Sequence, residues 1–388
     1  MQTRKLYYED SHLSRFEALV LSCTRTEKGF AVILDATAFY PEGGGQAADT
    51  GTLGGIRVTD TREQGESIVH FCEAPLEPGS TVEGVIDYGK RFVRMQQHSG
   101  EHIVSGILNR RFGCSNVGFH MGSDRTVIDF DAVIPAEILP EIEREANAAV
   151  WQNIPVRCWY PSPEELPGVP YRSKKALPWP VRIVEIPGFD TCACCGTHVA
   201  ATGEIGLIKL FTAIPCRGGT RIEMACGIPA LDIMNQVYAQ NLEVSHLFSA
   251  PIHATAAAAK QFGDQLSALK LRSAELEKKL FASTAAGYAG KGNVLHFEDS
   301  LDSTGIRELA DAIAETCAGT AAVFSGSDPL GYGYCLVTRS GDLRAFGKQM
   351  TAALNGRGGG KPICQQGRVS AKKQEIEAFF SRPEADKL

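Results

Sequence analysis

The sequence predicts an α+β protein made of a small N-terminal β-barrel, a central α+β domain, a helical linker and a small C-terminal α/β domain. Three observations predict it. Short β-branched runs punctuated by Gly and Pro fill residues 1–88. The strand and helix patterns that follow do not alternate strictly, and an Ala-, Lys- and Glu-rich stretch at 255–283 sets off the last hundred residues. At 388 residues the chain exceeds one ordinary core. The domains are expected at 1–88, 89–235, 236–288 and 289–388.

In the first domain FEALVLSCTR, FAVILDATAF, GTLGGIRVTD, ESIVHFCEA and TVEGVIDYG read as strands. Between the second and third lies TAFYPEGGGQAADTG, whose three consecutive glycines (Gly43, Gly44, Gly45) let the backbone approach a ligand closely. A flexible hairpin connection explains them equally well. KRFVRMQQHSGEHIVSGILNRRFG holds no proline, repeats its apolar residues at helical spacing and stops at Gly113, which predicts a helix over Gly89–Phe112. NVGFHMGSDRTVIDFDA reads as two strands and IPAEILPEIEREANAAVWQN as a helix. VRCWY, VRIVEIP, EIGLIKLFTA and TRIEMACG read as further strands.

In the linker Phe262, Leu266, Leu269, Leu276 and Leu280 follow four-three spacing, with Ser273 the polar member. This run allows a homodimer through a short coiled coil, or a helix packed on its own domain, without deciding between them. In the last domain NVLHFED, AAVFSG and YCLVTRS read as strands and TGIRELADAIAETC as an amphipathic helix. From Arg339 to Lys373 eight basic residues face one acid around a glycine-rich loop, GRGGGK. Such a stripe suits a phosphate backbone; a solvated basic face is the alternative.

Composition bounds the function. With 44 % hydrophobic and 22 % charged residues the chain reads as globular. The start is charged throughout rather than apolar, and no run reaches membrane-spanning length, so a cytoplasmic location and no membrane partner are expected. The 12 cysteines are then thiols, of which only Cys192, Cys194 and Cys195 cluster. A net charge of −6 argues against indiscriminate nucleic-acid binding but leaves room for a local basic face.

His98 and His102 stand four apart on the predicted helix, so both imidazoles leave one face. In TCACCGTHVA, Cys194 and His198 are again four apart, and thiolate plus imidazole suits tetrahedral zinc. Together they offer His98, His102, Cys194 and His198, with Cys192 and Cys195 as competing ligands. A closed four-ligand site would be purely structural. HSGEH also fits the H-x-x-E-H pattern of inverzincin metallopeptidases, in which Glu101 would activate water, although that pattern goes with a carboxylate third ligand.

TAFYPEGGGQAADTG, HSGEH, CCGTHVAATGEIG and GTRIEMACG, in this order, resemble the editing domain of alanyl-tRNA synthetases and its freestanding relatives, the alanyl-tRNA editing (AlaX) proteins. The opening KLYYEDSHLSRFEA resembles the freestanding type, and GRGGGKPICQQG is similar to the signature of the DHHA1 domain of long-form members. The resemblance implies zinc bound by His98, His102, Cys194 and His198. It implies an amino-acid pocket lined by Thr37 and Gln46, with Gly44 and Gly45 in the same loop, and RNA contact through Arg357, Gly358, Gly359, Gly360 and Lys361. The implied activity is hydrolysis of the aminoacyl ester of tRNA(Ala) mischarged with serine or glycine. A non-catalytic, zinc-containing tRNA-binding protein would share these features.

Overall fold

A computed structural model describes residues 2–27, 29–122, 125–173 and 179–382. The chain divides into two compact units, Met1–Glu243 and Val244–Leu388. Its first unit opens with β1 (Arg4–Lys5), β2 (Arg15–Thr26), β3 (Gly29–Leu34), β4 (Ala36–Thr37), β5 (Gly51–Leu53), β6 (Ile56–Gln64), β7 (Ser67–Cys72) and β8 (Thr81–Ile86). Alternation places Phe16, Ala18 and Val20 of β2 on one buried face, and Val32 and Leu34 of β3 join them with Phe39, Leu53 and Val58. Six strands pair antiparallel in the order β2-β3-β7-β6-β5-β8, and β8 returns to β2, so the hydrogen bonds close a ring. β1 and β4 form a short parallel pair beside it.

Helix α1 (Tyr88–Phe112) begins one residue earlier than its periodicity predicts and ends at Gly113, whose N–H donates to Asn109 O. Its apolar residues Met95, Ile103, Ile107 and Leu108 pack against an antiparallel sheet, β14-β15-β10-β9. The sheet is formed by β9 (Asn116–Met121), β10 (Thr126–Phe130), β14 (Ile208–Cys216) and β15 (Gly219–Cys226). Helix α2 (Leu139–Trp151) covers the same core through Ile142, Ala146 and Val150. A second small sheet comprises β11 (Arg157–Trp159), β12 (Ile183–Ile186) and β13 (Asp190–Ala193). The sequence pattern does not predict β13: its four residues, DTCA, carry no apolar alternation, and its pairing with β12 supplies what its composition lacks. Helix α3 (Ile228–Phe248) runs across the boundary between the two units in the sequence.

The second unit begins with α4 (Thr255–Ala286), a 32-residue helix on which Phe262, Leu266, Leu269, Leu276 and Leu280 are all exposed. Five strands follow: β16 (Val294–Glu298), β17 (Ala321–Ser327), β18 (Gly331–Val337), β19 (Gly356–Lys361) and β20 (Cys364–Val369), in the order β16-β17-β18-β20-β19. β16 and β17 are parallel and joined through α5 (Ser303–Thr316), whose Asp302 cap accepts from Gly305 N–H. Helices α6 (Arg344–Ala353) and α7 (Lys373–Phe380) bury Met350, Ile376 and Phe379 in a second apolar cluster.

One expectation is corrected here. The glycine-rich loop is an edge strand: GRGGGK pairs along its whole length with β20, Arg357 opposite Arg368 and Gly359 opposite Gln366. Glycines disfavour a strand by propensity, but a partner that satisfies its backbone overrides this. Among the described residues no helix is long and apolar enough to cross a membrane.

Candidate functional site

Four side chains predicted as ligands meet in the first unit. Ligand atoms of His98, His102, Cys194 and His198 all lie within 4.8 Å of one another, and three of the four residues are buried. His98 Nε2 and His198 Nε2 each stand 3.4 Å from Cys194 Sγ. The helix supplies the first pair because its four-residue spacing stacks His98 over His102, ring centroids 5.3 Å apart. The turn after β13 supplies the second pair. Arg182 holds this turn by donating to the carbonyls of Cys194 (2.9 Å) and Gly196 (3.0 Å). Position 196 admits only glycine, since an added Cβ would fall 2.1 Å from His98 Cε1. The Cys-Gly-Thr-His turn thus lies directly against the first imidazole.

Each imidazole is oriented through its other nitrogen. His98 Nδ1 donates to Gln46 Oε1 at 3.1 Å, and that amide is fixed because Nε2 donates to Thr197 Oγ1 and Oε1 also accepts from Thr197 N–H. His102 Nδ1 donates to Asp190 Oδ2 at 2.8 Å. His198 Nδ1 is 3.2 Å from Ser99 Oγ. All three rings therefore leave Nε2 for the shared space, the arrangement of metal-ligating histidines with their outer partners in place. The residues fit a metal ion.

The four groups perturb one another's proton affinities strongly. Burial pushes the Cys194 thiol up, but the His98, His198 and His102 rings outweigh it and hold it well below its ordinary value. Burial, then the neighbouring His98, lower His198 to about 3. Burial would also lower His102, yet the Asp190 carboxylate and the Cys194 sulfur raise it well above the usual imidazole value. Asp190 itself is held low, its burial outweighed by His102 and Arg172. Arg172 grips the carboxylate with two bonds of 2.7 and 2.9 Å. Cys192 forms a second grouping with His102 and Asp190, whereas Cys195 enters neither and is exposed.

Beside the cluster opens a cavity of about 560 Å³, lined by Gly44, His98, Glu101, His102, Asn116 and Cys194 among others. The glycine loop reaches it through two contacts. A fully buried Arg91 on α1 pairs with Asp49 and donates to Ala38 O at 2.6 Å, tying the loop to the helix. Gly45, at φ +87°, rests on Phe119, where a Cβ would come within 2.6 Å of the ring; Phe119 in turn stacks on His98 with centroids 5.1 Å apart. Gly43 N–H donates to Gln46 O, while the N–H groups of Gly44 and Gly45 have no partner among the described residues.

Thr37 and Gln46 take roles other than those expected of them. Thr37 is fully buried, and it does not line the cavity. His70 Nδ1 donates to Val32 O, so its Nε2 is the acceptor and Thr37 O–H donates to it at 2.8 Å. Thr37 Oγ1 also accepts from Phe39 N–H. Gln46 has both amide atoms engaged with Thr197 and His98, which makes it a positioning residue for a ligand rather than a reader of substrate. Arg91, Ser99, Asp190 and His70 go unmentioned or without a role in the sequence reading, because each acts through a partner 33 to 99 residues away. In the second unit Arg357, Gly358, Gly359, Gly360 and Lys361 are exposed side by side on β19.

Residues 181–223 match the family described as the threonyl and alanyl tRNA synthetase second additional domain, and residues 3–90 match class II (A) tRNA synthetases. The chain is 34 % identical over 398 aligned positions to the alanine–tRNA ligase of Thermofilum pendens, spanning 96 % of itself but only 43 % of that ligase. It is 28 % identical to the alanyl-tRNA editing proteins Aarsd1 of Mus musculus and Danio rerio, covering 96 % and 95 % of their lengths. The cluster lies across the middle of α1 and the segment matched by the second additional domain. Along nearly its whole length the chain is thus similar to alanyl-tRNA editing proteins, and to less than half the length of an alanine–tRNA ligase.

Proposed function

We propose that this protein is a zinc-dependent hydrolase that removes serine or glycine from mischarged tRNA(Ala) by cleaving the aminoacyl ester. The observation that carries the reading is the set of three Nε2 atoms and one thiol beside a cavity, each imidazole oriented by its own acceptor. Tetrahedral zinc with bonds of about 2.0 Å to nitrogen and 2.3 Å to sulfur spaces those donors by about 3.5 Å. The 3.4 Å separations of Cys194 from His98 and His198 suit that geometry. The names of the relatives support tRNA(Ala) as partner, and the exposed basic edge strand β19 supports RNA contact.

Zinc, when bound, supplies Lewis acidity for polarising a carbonyl or lowering the pKa of water. The chain's own residues do the rest. Gln46 and Asp190 hold the His98 and His102 rings in one tautomer, and Ser99 orients the His198 ring. To the free N–H groups of Gly44 and Gly45 this reading assigns stabilisation of negative charge developing on the ester oxygen, an effect worth a few kcal/mol in other enzymes. Glu101 stands outside the ligand cluster, and Cys194 and His198 occupy the place of the carboxylate third ligand that a metallopeptidase of the H-x-x-E-H type uses. The decisive assay incubates zinc-loaded protein with seryl-tRNA(Ala) and follows free serine. Release that survives both metal removal and Cys194→Ala refutes the reading.

A further inference from the structure

The geometry points to Glu101 and Asn116 as the subsite that binds the α-ammonium group of the aminoacyl substrate. This rests on the deacylase reading and adds to it a recognition element for the one cation every aminoacyl ester carries. Glu101 leaves α1 on the cavity wall, one residue before a ligand histidine, and is only 5 % exposed. Its Oε1 accepts from Ser105 Oγ and Asn116 Nδ2, both at 2.5 Å. Its Oε2 has no hydrogen-bond partner among the described residues, and Glu101 forms no ion pair there. The guanidinium on the same wall, Arg172, feels the charge of Glu101 but spends its hydrogen bonds on Asp190.

Asn116 supplies the second, independent observation. It lies 4 % exposed on the same wall, and its Oδ1 is a buried atom without a partner. The amide orientation follows from chemistry: facing an acceptor-only carboxylate oxygen, Asn116 must present its nitrogen, which turns Oδ1 away from Glu101. A carboxylate oxygen on the cavity wall without a donor and a buried carbonyl oxygen without a donor are each costly. One group relieves both, a positively charged donor with several N–H bonds. A hydroxyl carries no charge to offset that of Glu101, and a guanidinium is absent from serine and glycine. A primary ammonium one carbon from the ester carbonyl meets the requirement.

Two non-hydrolysable probes test this: 3′-(L-serylamido)adenosine, and the same molecule acetylated on its α-nitrogen. Binding to the zinc-loaded protein is measured by calorimetry, with metal content determined in each sample. The free amine is expected to bind at least tenfold more tightly than its acetylated form, and in Glu101→Gln and Asn116→Ala this ratio should fall below threefold with zinc still stoichiometric. Equal affinity of the two probes for the unaltered protein overturns the assignment without recourse to any variant. An undiminished ratio in both variants also overturns it. No binding of either probe, together with no serine release from seryl-tRNA(Ala), overturns the deacylase reading itself and this subsite with it.

Discussion

Replacing Asp190 by Asn separates the orienting shell from the ligands themselves. The carboxylate accepts from His102 Nδ1 at 2.8 Å and from Arg172 at 2.7 and 2.9 Å. An amide keeps the shape but offers one acceptor oxygen, no charge, and an NH₂ group that must face a donor. Either His102 or Arg172 then loses its partner. Loss of an outer-shell acceptor weakens metal binding about 10- to 100-fold, roughly 1.4 to 2.7 kcal/mol. Stripping a buried guanidinium of its counter-ion costs about 3–5 kcal/mol, less here because Arg172 keeps about a fifth of its surface. The substitution should therefore lower zinc affinity by at least tenfold, read by competition with a chromophoric chelator, and lower the urea midpoint of the apo protein. Ser99→Ala, which removes a neutral and longer contact to His198, should cost less than Asp190→Asn. Affinity within twofold of the unaltered protein for Asp190→Asn would refute the claim that this carboxylate orients the ring.

Thr37→Val leaves His70 Nε2 and Phe39 N–H without a partner, so unfolding in urea should show a loss of about 1–3 kcal/mol, with zinc content unchanged. Burial holds His70 down at about 4, below its ordinary 6.5. As pH falls the unfolded chain takes up this proton first. Stability is therefore full above pH 6.5 and declines by up to about 3 kcal/mol between 6.5 and 4, a slope that His70→Gln should flatten in pH-dependent unfolding curves. Gly45→Ala forces a Cβ into Phe119 and should reduce serine release at least tenfold with the metal retained, as measured on the zinc-replete variant. Gly196→Ala instead drives a Cβ into His98, so its zinc content and its activity should fall together.

What was legible in the sequence had local causes. Helix α1 shows its periodicity and its terminal glycine within 25 residues, and four-residue spacing in both metal motifs needs only a helix or a tight turn. That the two motifs share one space follows from no spacing rule, because 96 residues separate Cys194 from His98; the resemblance implied it and the packing of α1 against β13 brings it about. The orienting residues were hidden for the same reason. Asp190 sits on a strand that composition does not announce, Ser99 looks like an ordinary polar residue until its partner arrives, and Gln46, singled out for the pocket, shows its hold on His98 only in the fold. The resemblance implied a pocket role for Thr37, whereas on β4, beside the ring of strands, its hydroxyl meets His70 of β7. The GRGGGK segment misled in another way, since an edge strand that packs no side chains carries no hydrophobic alternation.

An ion shared by α1 and the turn after β13 would bear on the life of the chain in the cell. An ion gripped by both segments is a cross-link closing a loop of some ninety residues, and its affinity becomes part of what keeps the first unit folded. Scarcity of the metal would then thin the population of intact molecules as well as silence them. On the function proposed above, quality control of protein synthesis would be tied to the supply of a trace nutrient by a single knot of nitrogen and sulfur.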